Sequence, residues 1–86
     1  MSHPISFSNG RHLAAARILA GLKQTELAQL AGIHVSAVKR LEGMEQIDGS
    51  VYATERIGKA LLRRGILAER WPMPYVRLVE CVHQPV

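Results

Sequence analysis

Apolar residues recur at helical spacing in four segments of the chain, and glycines or polar turns separate these segments. Asn9 and Ser8 precede the first segment and can cap a helix. The pattern predicts four short helices, at about Arg11–Ala20, Gln24–Ala31, Val35–Leu41, and from a cap at Ser50 to about Arg64. Four short helices with tight connections are typical of a compact α-helical module.

The pattern changes after the fourth helix. Pro72 and Pro74 exclude a helix there, and Tyr75–Val82 is rich in residues that favour extended structure. We therefore expect a strand at Tyr75–Val82, with a weaker partner at Ile66–Glu69. The predicted fold class is mainly α, four helices followed by a short C-terminal strand or hairpin.

Length and charge refine this organisation. The chain has 86 residues, 48% of them hydrophobic, which suits one small domain with a packed core. We divide it into an N-terminal arm (1–10), a helical domain (11–65) and a C-terminal extension (66–86). The whole net charge of +4 lies in residues 1–65, whereas the extension is neutral. The helical part therefore suits a polyanionic partner.

Three features indicate a cytoplasmic protein. The single cysteine, Cys81, forbids an internal disulfide framework. The first ten residues lack the pattern of a secretory signal. No apolar stretch approaches the ~18 residues that span a bilayer, so we expect no membrane association.

The second and third predicted helices carry the most specific signal. Two helices that cross at a wide angle need a small residue at the crossing and a residue that tolerates positive φ at the corner, which Ala28 and Gly32 supply. Val38 and Leu41 are spaced to anchor the second helix of the pair. The combination predicts a helix-turn-helix.

The outward face of the third helix follows from that assignment. If Val38 and Leu41 point inward, then the outward positions are Val35, Ser36, Lys39 and Arg40. Arginine can bind guanine through two hydrogen bonds, and valine can pack on a thymine methyl group. The alternative is that these residues merely form a solvated helix face. This interpretation is the weaker one, because the face lies on the second helix of a helix-turn-helix in a basic domain.

The chain from about Arg11 to Ile66 resembles the Cro and lambda-repressor family, also called the XRE family. The resemblance lies in Q-T-E-L-A, then A-G-I and then L-E-G, between Gln24 and Gly43. It implies a lambda-repressor-like DNA-binding domain whose third helix reads bases with the four outward residues. It also implies a phosphate contact and a bracing role for Gln24, and an ion pair between Arg17 and Glu42.

Contacts to the DNA backbone are expected from Gln24, Thr25 and His34. His34 stands where the family usually has a serine or threonine that caps the recognition helix. An imidazole can accept a helix N–H or donate to a phosphate, so either role is open to it.

The sequence favours no catalytic or metal site. Cys81 and His83 lie two residues apart, but two ligands do not make a zinc site, and no orienting residue completes a nucleophile–base pair. We therefore expect no enzyme activity, no cofactor and no metal.

The C-terminal strand is the predicted dimer contact, through Tyr75, Val76, Leu78, Val79 and Val82. Its apolar residues lie on both faces, which suits a strand covered on two sides, and pairing with its own copy would create a two-fold axis. In the alternative the strand folds back on Ile66–Glu69 and leaves a monomer.

These observations predict a regulator that binds double-stranded DNA as a homodimer, most simply a repressor at a palindromic operator. An antitoxin or phage-type regulator of its own operon is a variant of the same class. The alternative from a different functional class is a protein-interaction module that has lost DNA binding and binds a protein partner.

Overall fold

A computed structural model describes residues 7–47, 51–69 and 75–78. Their secondary structure consists of four helices and two strands. These are α1 (Gly10–Leu19), α2 (Gln24–Ala31), α3 (Val35–Glu42), α4 (Val51–Arg63), β1 (Ile66–Glu69) and β2 (Tyr75–Leu78). The mainly α fold predicted from the sequence, with four helices and a terminal hairpin, is confirmed.

Local signals explain where the helices begin and end. The Asn9 side chain accepts the backbone N–H of His12 at 2.9 Å, which satisfies a donor that the first turn of α1 leaves open. Helix α2 ends at Gly32, whose φ of 72° is the left-handed conformation that glycine adopts without a steric penalty. The expected cap of the fourth helix, Ser50, lies outside the described residues.

The two strands form an antiparallel hairpin within the chain. Ile66 pairs with Leu78 at one end, and Glu69 pairs with Tyr75 at the other. The backbone of β1 thus occupies one edge of β2, as in the alternative in which the strand folds back on Ile66–Glu69, and pairing with a second copy stays a prediction for the other edge. Val79 and Val82, also expected in the interface, lie outside the described residues.

The core lies where the four helices meet the hairpin. Its largest fully buried side chains are Leu13, Leu27, Val38, Leu41, Ile57, Leu61 and Ile66. Phe7 and Ala68 are also buried, with 2% and 1% of their surfaces exposed. The core therefore draws on residues on both sides of the helical segment 11–65.

Buried His12 connects three parts of the chain. Its Nδ1 accepts the Ser8 backbone N–H, with an N–N distance of 3.0 Å, and its Nε2 lies 2.7 Å from the Tyr75 carbonyl oxygen. A nitrogen that accepts from Ser8 and one that donates to Tyr75 require the tautomer with the proton on Nε2. The imidazole thus ties the residues before α1 and the start of β2 to α1.

Within the described part of the chain, no helix is both long enough and apolar enough to cross a membrane.

Candidate nucleic-acid interface

Helices α2 and α3 are joined by a turn of three residues, Gly32 to His34. The Ile33 backbone N–H returns to the Ala28 carbonyl at 3.0 Å, which closes the end of α2. Ala28 is buried at the crossing, as its small side chain requires. The turn holds α3 across α2 in the arrangement of a helix-turn-helix.

Helix α3 divides cleanly into a buried and an exposed side. Val38 and Leu41 are fully buried, whereas Ser36, Lys39 and Arg40 are exposed. Val35 differs from the expectation of an outward side chain, since it is half-buried and packs against the core. The exposed side chains among the four predicted residues are therefore Ser36, Lys39 and Arg40.

The N-terminus of α3 is capped by an imidazole. His34 Nδ1 accepts the Ser36 backbone N–H at 3.1 Å and lies 2.8 Å from the Ser36 hydroxyl. Because Nδ1 acts as the acceptor, Nε2 carries the proton of the neutral ring. His34 is exposed, so this Nε2–H remains a donor to a group outside the protein.

The C-terminus of α3 is fixed through Glu42. Arg17 Nε donates to Glu42 Oε2 at 2.7 Å, and a second guanidinium nitrogen donates to Oε1 at 3.1 Å. Gln24 Nε2 donates to the same Oε1 at 2.9 Å. Arg17 also donates to the Leu22 carbonyl at 2.9 Å. One carboxylate therefore joins α1, α2 and α3.

The start of α2 lies within this network. The Gln24 amide nitrogen carries two hydrogens, and the bond to Glu42 leaves one of them for another acceptor. Thr25 follows on the same first turn and is exposed. The first turn of a helix also presents backbone N–H groups, which bind anions.

Helix α1 approaches the end of α3 at the level of the backbone. A Cβ at Gly10 would overlap the carbonyl of Glu42, so only glycine fits there. The Gly10 backbone N–H donates to the Met44 carbonyl at 2.8 Å, and the Ile47 N–H donates to the Ser8 carbonyl at 3.0 Å. The loop after α3 is held to the start of α1 by these two bonds.

The sequence pattern gave no indication of the contacts that Arg56 and Arg63 make in the fold. Both arginines donate from α4 to carbonyl oxygens at the end of α2. A basic residue on an exposed helix face gives no sequence signal of such a contact, because its acceptor lies 25 or more residues away along the chain.

Among the described residues, no three histidine, cysteine, aspartate or glutamate side chains lie close enough together to hold a metal ion. Cys81 and His83 lie outside these residues.

The crossing of α2 and α3, with an exposed polar and basic face on α3, defines the class of helix-turn-helix DNA-binding proteins. Residues 13–43, which span most of α1 and the whole of α2 and α3, match a family model described as helix-turn-helix. This segment is therefore similar to the helix-turn-helix of DNA-binding regulators of the Cro and lambda-repressor type, also called the XRE type. That family consists of regulators and not of enzymes. No curated protein matches the chain.

Proposed function

We propose that the protein binds double-stranded DNA sequence-specifically, as a homodimer on a palindromic operator, and represses transcription by occluding a promoter. The observation that carries this proposal is the exposed face of α3, where Ser36, Lys39 and Arg40 project from a helix fixed at both ends. Arg40 suits bidentate recognition of guanine, and Lys39 suits a guanine or a nearby phosphate.

Backbone contacts flank that face. Gln24 and Thr25 at the start of α2, and His34 at the start of α3, are polar groups with hydrogen-bonding capacity toward phosphate. Such contacts fix the register of a protein on the duplex, while the side chains on α3 carry the sequence information.

The proposed dimer contact is the outer edge of β2. Its partner β1 begins at Ile66, opposite Leu78, and the β-prone sequence of the C-terminal strand continues beyond this pair to Val82. Leu78 is 65% exposed, and Tyr75 and Val76 are half-buried beside it. Among the described residues no third strand pairs with this edge, and an unpaired strand edge with an exposed apolar side chain at its end is a ready surface for pairing with a second copy. Two copies about one helical turn of DNA apart would read a palindrome.

A point substitution tests the dimer better than removal of the extension, because deletion after Gly65 would take the buried Ile66 and Ala68 from the core. We expect Leu78→Glu to give a monomer by light scattering. Ile18→Glu is the matched control, since Ile18 is 64% exposed on α1. A Leu78→Glu variant that still dimerises would exclude this edge as the interface.

Selection of bound duplexes from a random pool at ~0.15 M salt tests the function itself. We expect one enriched palindrome. Enrichment of DNA from the protein's own promoter would favour the autoregulator of an operon, whether antitoxin or phage-type. Retention of no duplex, even at low salt, would contradict DNA binding and favour a module that docks a protein partner.

A further inference from the structure

The last two carbonyl groups of α2 are bound by arginines from α4. Arg56 Nε donates to the Ala31 carbonyl oxygen at 2.8 Å, and an Arg63 guanidinium nitrogen donates to the Leu30 carbonyl oxygen at 3.1 Å. The carbonyls at a helix C-terminus have no partner within the helix, and they carry its partial negative charge. The two arginines therefore supply hydrogen-bond partners for the last carbonyl groups of α2, where the turn to α3 begins.

Arg56 makes two further contacts besides this hydrogen bond. Its guanidinium carbon also lies 5.2 Å from the centre of the Tyr52 ring, a cation–π contact with another residue of α4. A Cβ built on Gly32 would lie 2.7 Å from an Arg56 terminal nitrogen. The guanidinium thus lies directly against the corner of the helix-turn-helix, in space that any residue larger than glycine would restrict.

We propose that Arg56 is a positioning residue for DNA recognition, because it fixes the turn between α2 and α3 and so the angle at which α3 meets the groove. The proposal rests on the sequence-specific binding proposed above. Base recognition requires side chains held to within a fraction of an ångström, and supporting contacts supply that rigidity. The Cro-type family match ends at Gly43, so this support comes from outside the matched segment.

Three variants separate this role from others. Arg56→Met keeps an unbranched apolar stem as far as the position of Nε but removes the guanidinium group with its charge and its donors. Arg56→Lys restores a charged nitrogen one bond beyond the position of Nε, within reach of the Ala31 carbonyl. Lys59→Met is the control, since Lys59 is an exposed cation one turn further along the same helix.

The first measurement needs no DNA. Amide hydrogen exchange reports the opening of the Gly32 and Ile33 N–H groups, which bond to Gln29 and Ala28. We expect Arg56→Met to accelerate their exchange about ten-fold relative to core amides of α1, with Lys59→Met unchanged and Arg56→Lys close to the original protein. Unchanged exchange in Arg56→Met would overturn the proposal.

The second measurement is the ratio of dissociation constants for random and selected duplexes. We expect Arg56→Met to reduce this ratio about ten-fold while the dependence on salt stays as in the original protein. A phosphate contact would instead weaken binding to both duplexes equally. It would also reduce by about one the steepness with which the logarithm of the binding constant falls with the logarithm of the salt concentration (the salt slope), and this result would overturn the proposal. If the original protein selects no duplex, the proposed function fails, whereas the exchange measurement still decides whether Arg56 holds the turn.

Discussion

Arg17 of α1 and Glu42 at the end of α3 form a two-point ion pair, with N–O distances of 2.7 and 3.1 Å. The side chains are 16% and 8% exposed. Burial weakens competition from water, and the planar guanidinium matches both carboxylate oxygens. The pair therefore fixes the end of the recognition helix to the first helix of the domain.

Loss of either partner leaves a largely buried charge without its counterion. We expect Arg17→Ala and Glu42→Ala each to lower the free energy of unfolding by about 3 kcal/mol, a large share of the ~5–10 kcal/mol of a small domain. Urea denaturation of both single variants and the double variant measures the coupling. Additive losses would contradict the pair, and Lys23→Ala, an exposed cation, serves as the control.

Gly10 and Gly43 give opposite expectations for the same substitution. In Gly10→Ala the methyl group would overlap the Glu42 carbonyl, so we expect a loss of several kcal/mol, or no folding. In Gly43→Ala the nearest atoms are 3.6 Å away, and the φ of −89° suits alanine, so we expect a small change. Thermal unfolding of the two variants measures both, and equal stabilities would contradict the close approach of α1 and α3.

Replacement of Arg40 tests base recognition. We expect Arg40→Ala to cost about 1–3 kcal/mol of binding on the selected duplex and to relax the preference at one base position. Arg64→Ala, which removes another exposed arginine outside α3, should leave that preference intact. A folded Arg40→Ala variant with the original preference would remove Arg40 from the reading face.

Gln24 and Lys39 should differ in their dependence on salt. Gln24→Ala removes a neutral donor, so we expect weaker binding to all duplexes with the salt slope unchanged. Lys39→Ala should lower the slope by about one if Lys39 binds a phosphate. Binding titrations at several salt concentrations measure both slopes. Loss confined to one sequence in Gln24→Ala would contradict a backbone contact.

His12 should stabilise the hairpin through its bond to the Tyr75 carbonyl. We expect His12→Phe to lower the free energy of unfolding by about 1–3 kcal/mol, because the Ser8 N–H and the Tyr75 carbonyl would lose a part-buried partner. Hydrogen exchange in β1 and β2 should rise more than in α3. Arg11→Ala is the control, since Arg11 is an exposed neighbour of His12. An equal rise in hydrogen exchange across the whole domain of His12→Phe would contradict a local role.

Most of the fold could be predicted from the sequence, because the helices depend on patterns within a few neighbouring residues. The bounds of α2 agree with the prediction, and the other helices differ by one residue at each described end at most. Apolar spacing and a glycine at the corner suffice for this, since they act within a few residues. The sequence also predicted Ile66–Glu69 as a partner of the C-terminal strand, but the strand's own pattern does not contain the information whether its other edge pairs with a second copy.

The candidate site was less accessible to sequence reasoning. The half-buried position of Val35 depends on packing of neighbouring helices around the first turn of α3. The contacts of Arg56 with Ala31 and of His12 with Tyr75 join residues 25 and 63 positions apart. Residues at such separations meet only after the chain has folded, so no local sequence pattern predicts these contacts.

The burial of Ile66 and Ala68 has a consequence for the order of events during synthesis. A ribosome releases the chain from its N-terminus, so the whole segment 13–43 emerges before the residues that complete its core. The nascent recognition helix therefore leaves the ribosome without its full hydrophobic support. Because β1 packs against α1 and α4, we expect a stable domain to form only once β1 has been made.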